Sequence, residues 1–233
     1  MKKNITLFFL AFIVSITASA QVRVSYSVGY GDYKMDDMSK LLDASLSLVA
    51  MELPAGVAIT ENFPGYVTHN FDVTYAFKRH EFGLKGTYMT TGGKIAYSDY
   101  SGKYNEDLTL NGYRVGALYK FHVVKTYLGK LPFSLYGELS PAITFTNLKY
   151  EALLSLPDYD INESNPEDNV STKETGYSIQ PMIGGQLFAT RNIFFVLSAG
   201  YDFEFGSKLS TTNNLLRADW TGFRVNGGVG FSF

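Results

Sequence analysis

The chain has 233 residues, 45% hydrophobic and 15% aromatic but only 18% charged, with 20 Lys+Arg against 22 Asp+Glu and no Cys. This aromatic-rich composition excludes a disordered chain. The lack of cysteine excludes disulfide scaffolds and thiolate metal sites, and the near balance of charge provides no basic field for nucleic acid. A mean hydropathy of −0.03 fits a water-soluble globule, or equally a barrel with one apolar and one polar face.

Lys2 and Lys3, the apolar run Ile5–Ile16 and the small-residue triplet Ala18-Ser19-Ala20 have the order of a cleavable secretory leader. The run falls short of the ~20 apolar residues that a spanning helix needs. The expected division is a signal peptide over residues 1–20 and one exported domain over residues 21–233. No later run is long enough for a spanning helix, so any membrane crossing falls to strands.

Strands announce themselves by alternation, because successive side chains point to opposite faces. Eight segments alternate: Val22–Tyr30, Tyr66–Phe77, Glu81–Thr90, Leu108–Phe121, Phe133–Thr146, Tyr177–Ala189, Ile193–Phe205 and Trp220–Phe233. In the first, Val22, Val24, Tyr26, Val28 and Tyr30 oppose Arg23, Ser25, Ser27 and Gly29. Most aromatics fall on the apolar face; Tyr66, Tyr136, Phe188, Phe194 and Trp220 fall on the other. A soluble sheet normally studs its polar face with Lys and Glu. Here that face carries mainly Gly, Ser, Thr, Asn and Gln, the small residues that fit the lumen of a narrow barrel. Tyr and Phe on the opposite face suit lipid and its interfacial girdles.

The connections repeat the message. Lys78-Arg79-His80 and Thr190-Arg191-Asn192 are short, residues 122–132 are intermediate, and the linkers 31–65, 91–107, 147–176 and 206–219 are long. Transmembrane barrels alternate short inner turns with long outer loops, so both termini are expected on the periplasmic side. The first long linker has helical spacing: Asp36 or Asp37 caps a turn carrying Met38, Leu41, Leu42, Ser45, Leu46 and Val49, stopping near Pro54. The helix is expected to be amphipathic and to lie over the barrel mouth or on the outer leaflet, as a packed cap closing the barrel or as a lid over a small apolar ligand site.

Parity places ten charges inside: Arg23, Lys85, Arg114, Lys120 and Arg224, with Asp72, Glu81, Glu138, Asp202 and Glu204. An eight-stranded barrel is just wide enough for side chains to fill, and charges there must be paired. Depth suggests Asp72 with Lys85, Arg114 with Glu138, and Arg224 with Asp202 or Glu204. The histidines lack ligand spacing; His69 is expected on the lipid side, and His80 and His122 at solvated turns. Nothing aligns Ser47 or Asp72 with His69 for nucleophilic chemistry. Asp158, Asp160 and Asn162 begin like a calcium loop, but Glu163 and Asn169 occupy positions that require Gly and Glu. No catalytic residue, metal or cofactor is expected.

The chain ends Gly-Val-Gly-Phe-Ser-Phe, with Val229, Phe231 and Phe233 on one face. This ending resembles the insertion signal of outer-membrane barrels. With Asn62-Phe63-Pro64-Gly65-Tyr66 and the junction Ala20-Gln21, the chain resembles the Bacteroidota-type small outer-membrane β-barrel family, of OmpA/OmpX size. The resemblance implies an all-β, eight-stranded antiparallel up-and-down transmembrane barrel in the outer membrane. Its implied partners are membrane lipid, lipopolysaccharide, the barrel-insertion machinery and an extracellular ligand held by the outer loops. The expected role is a structural and surface-contact platform whose interior is plugged by ion pairs. The alternatives are transport of a small hydrophobic or polar solute, as an OmpW-like carrier or narrow pore, and a PorT-like part of a secretion system.

Overall fold

A computed structural model describes residues 21–52, 56–100, 102–156, 161–164, 171–206, 209–210 and 215–233. Its elements in chain order are β1 (Gln21–Gly31), α1 (Asp36–Glu52), β2 (Ala58–Asn62), β3 (Tyr66–Phe77), β4 (His80–Ser98), β5 (Lys103–Leu128), β6 (Leu131–Leu156), β7 (Ile161–Ser164), β8 (Ser171–Phe188), β9 (Ile193–Phe205), β10 (Leu209–Ser210), β11 (Leu215–Leu216) and β12 (Gly222–Ser232). The leader, and Asp158 and Asp160 of the calcium-like segment, lie outside the described residues.

Eight staves close on themselves through antiparallel pairs: β1, β3, β4, β5, β6, β8, β9, β12 and back to β1. Closure satisfies the backbone without a sheet edge, the condition for strands to cross a bilayer. The register gives the geometry. Starting at Gly31, the partners run Arg224, Gly200, Met182, Glu138, Lys120, Glu81, Ala76 and finally Gln21. One circuit therefore slips from residue 31 to residue 21 of β1, a shear of ten. With the usual strand spacings, eight strands at that shear tilt by about 40°.

The outer surface is layered. Leu84, Val115, Ile143, Ile183 and Leu197 form an exposed aliphatic belt. Below it, towards Gln21 and Phe233, His80, Phe82, Tyr119 and Phe121 touch ring to ring, with Phe82 and Tyr119 centroids 5.0 Å apart. Above it, His69 stacks between Tyr26 and Tyr88, and its Nδ1 lies 2.7 Å from the Tyr26 hydroxyl. Rings at both borders of an apolar band are the pattern of a lipid-facing surface. Val229, Phe231 and Phe233 also lie on this exterior. Inside there is no such room. A Cβ on lumen-facing Gly116 would stand 2.2 Å from the Pro141 carbonyl oxygen, whereas one on outward Gly137 would meet nothing within 4 Å.

The staves overrun their expected ends. β4 reaches Ser98 and β5 starts at Lys103, so much of the expected loop 91–107 is a hairpin. β5 and β6 continue at the other end to a tight turn where Gly129 takes a φ of 65°. β2 pairs with β4 and β7 with β6, widening these extensions into a projecting sheet. Polar and charged positions in these stretches hid the alternation, because the extensions stand beyond the apolar band.

Candidate functional site

The lumen holds polar layers, beginning at the end that bears Gln21 and Phe233. All ten predicted interior charges are buried. At the first layer Arg23 Nη1 donates to Glu81 Oε2 at 2.9 Å and to Gln186 Oε1 at 3.1 Å. His122 joins them: its Nε2 lies 3.0 Å from Glu81 Oε2 and its Nδ1 lies 3.1 Å from Ser134 Oγ. His122 is therefore a buried lumen residue rather than a solvated turn residue, because β5 does not end at Phe121.

In the second layer Lys120 Nζ lies 3.2 Å from Asp72, 3.8 Å from Glu138 and 3.9 Å from Glu81. Lys85 Nζ donates to Glu138 at 2.7 Å. The expected pairing of Asp72 with Lys85 is thus corrected. Those two residues are cross-strand neighbours, but the ammonium of Lys85 reaches past β5 to Glu138 on β6 instead. In a narrow tilted barrel a long side chain reaches the second stave as easily as the next one.

The third layer is built on Arg114, which is 1% exposed. Its Nε donates to Ser178 Oγ at 2.8 Å and lies 3.6 Å from Asp202; its Nη2 donates to the Ser140 carbonyl at 2.5 Å. Its ion-pair partner is thus Asp202, not Glu138. Arg224 also lies 3.9 Å from Asp202 and donates to the carbonyls of Asp32 and Trp220. Glu204 accepts the Trp220 backbone N–H at 2.7 Å instead of pairing with Arg224. Guanidinium suits these sites because its planar fork can hold a carboxylate and backbone carbonyls at once.

Above the charges lies an apolar plug. Met38 and Leu42 of α1 are fully buried against Phe63, Ile95, Leu110 and Trp220. The Trp220 indole donates to Thr146 Oγ1 at 2.8 Å, and Tyr33 meets its ring edge-on at 4.9 Å. Tyr33 also lies under the Arg224 guanidinium, 4.8 Å from ring centroid to Cζ. Burial pushes the Tyr33 phenol up to about 12. The helix begins at Asp36 and Asp37, acids that complement its positive end. Its buried positions follow the 3.6-residue period.

Two interior residues and one at the rim escape a parity reading. Glu106 and Glu174 are buried in parts of β5 and β8 that the apolar pattern did not reach. Lys125 is turned by a register shift between His122 and Val124, which sets it opposite the lumen-facing Ser134. A break in alternation at Val123-Val124 is the signal that could have found it.

A closed eight-stave circuit with an apolar exterior and a polar, ion-paired interior defines a transmembrane β-barrel of the smallest class. No protein-family model and no curated protein matches the chain. Three solved structures resemble it over 92% of its length. The attachment invasion locus protein Ail of Yersinia pestis, solved with the heparin analogue sucrose octasulfate, is 16% identical, covered over 97% of its chain, with a TM-score of 0.36. Neisserial surface protein A is 10% identical, covered over 97%, at 0.41. The outer membrane protein OprG of Pseudomonas aeruginosa is 12% identical, covered over 95%, at 0.43.

Proposed function

We propose that the protein is an outer-membrane β-barrel that is closed to ions and serves as a surface-contact platform. In this reading the leader exports the chain, the termini and short turns face the periplasm, and α1 with the hairpin extensions faces outward. The observation that carries the proposal is the continuity of the filling: three successive charged layers cross-link staves that are not neighbours in the sheet, and an apolar plug lies above them. A hydrated ion would have to break these pairs, and each uncompensated buried charge costs several kcal/mol or more. Contact then falls to the projecting side. Tyr100 at the β4–β5 tip is 98% exposed, and Leu48 and Met51 of α1 present apolar groups to solvent. Val229, Phe231 and Phe233 are assigned to recognition by the insertion machinery, and the outer loops to lipopolysaccharide and extracellular ligands.

Purified protein in planar bilayers tests the closure. The expected record shows no steady single-channel steps. Reproducible steps of fixed size would overturn it.

A further inference from the structure

The end of the lumen that bears Gln21 and the β5–β6 turn opens into a cavity of about 260 Å³. Its polar lining includes the cations Arg23 and Lys125, the imidazole of His122 and the hydroxyl residues Thr126, Tyr127 and Ser134. Aromatic rings, including Phe133 and Phe188, form its walls. Three independent features make this a built pocket rather than a gap under the rim.

The first is the register shift in β5. Without it Lys125 would continue the strand's alternation and face outward. The extra residue turns it inward, directly across from Ser134, while β6 runs on undisturbed. Bulges re-aim side chains in this way and concentrate beside functional sites. The second is positioning. Lys125 Nζ is held by the Lys78 carbonyl, and Arg79 Nη1 donates to the Val123 carbonyl at 3.2 Å, so the bulge is clamped from the β3–β4 turn. An ammonium has three donors, and the Lys78 carbonyl takes one of them. The third is charge. Arg23 and Lys125 both line the cavity, and the nearby carboxylate of Glu81 is already engaged by Arg23, His122 and Thr74. Arg23 also lies over the Phe188 ring at 5.1 Å, and its Nε is buried without a partner among the described residues. The pocket is left with excess positive charge and donors that the protein does not use.

From this geometry we infer that the cavity is a binding site for a phosphate group. Lys125 supplies a point charge, Arg23 a planar donor set and Ser134 a hydroxyl, the combination that recognises tetrahedral oxyanions. The aromatic walls suit a phosphate carried on an apolar body. The pocket lies on the side of the barrel that carries the β5–β6 turn and the lower ring girdle of His80 and Phe121, partners across β4 and β5; such girdles lie where lipid headgroups meet protein. The phosphate can therefore come from an inner-leaflet lipid headgroup or from free solution, and the chemistry is shared.

The test uses the refolded barrel in maltoside micelles, which contain no phosphate. One arm titrates inorganic phosphate by calorimetry; a second adds phosphatidylglycerol to the micelles and follows its phosphorus resonance. Saturable binding in either arm, weakened at least tenfold in Lys125→Gln and retained in Lys125→Arg, is the expected result. Binding in only one arm identifies the source. Lys125 lies on the rim, and Lys125→Gln must keep the heat-shifted migration of the folded barrel. Should that variant fail to fold, Ser134→Ala replaces it, with the same tenfold loss expected. No saturable binding in either arm, or equal affinity in folded wild type and variants, would overturn the site.

Discussion

Replacing Lys120 with Met is expected to destabilise the barrel by about 3–5 kcal/mol, the usual consequence of removing one partner of a buried ion pair. Lys120 is 1% exposed and sits among Asp72, Glu81 and Glu138. Glu81 keeps Arg23 and Glu138 keeps Lys85, but among the described residues Asp72 is left with only the Ser25 hydroxyl at 3.5 Å. The loss should therefore concentrate on one stranded carboxylate. Removing that carboxylate as well, in Lys120→Met/Asp72→Leu, should restore most of the stability, because both partners are then apolar. Urea unfolding from lipid vesicles measures both variants, with the chain's one tryptophan, Trp220 in the lumen, as reporter. Equal losses in the single and double variants would mean that packing volume, not charge, governs this layer.

Trp220→Ala is expected to loosen the cap while leaving the staves closed. The indole is the largest fully buried side chain, bonded to Thr146 and packed on Tyr33. Truncating such a residue costs about 3–5 kcal/mol. Trp220 precedes β12 and belongs to the cluster that seats Met38 and Leu42, so the cost should appear as local opening of α1. Amide exchange in residues 38–50 should accelerate by roughly a hundredfold or more, while exchange in β6 and β9 stays slow. Uniform acceleration across the barrel would instead make Trp220 a part of the global core.

The staves and their facing were legible in the sequence because lipid and lumen demand opposite chemistry at alternate positions. Val22 to Tyr30 shows this clearly: each apolar side chain has a small or charged neighbour that the fold turns inward. The cap was legible for a related reason, since Met38 and Leu42 keep helical spacing in a segment without strand periodicity. Two kinds of feature were not legible. The ends of β4, β5, β6 and β8 stand beyond the apolar band, where both faces meet water or other loops and alternation fades; Glu106 and His122 were misplaced or missed on that account. The ion-pair partners were unreadable because they depend on shear. A slip of ten residues around the circuit decides which layer each long side chain reaches. Sequence parity carries no information about that slip. The inward turn of Lys125 belongs to the same group, since one extra residue in β5 has no partner signal in β6.

A transmembrane barrel requires that its aliphatic belt face lipid. The absence of cysteine allows single spin labels at chosen sites without background. Val115→Cys and Ile183→Cys place labels in the belt, and Tyr100→Cys places one at the hairpin tip, all on exposed positions. In lipid vesicles the two belt labels should relax with oxygen and ignore a water-soluble nickel complex, and the Tyr100 label should show the reverse. Nickel relaxation of the belt labels equal to that at Tyr100 would contradict the transmembrane barrel.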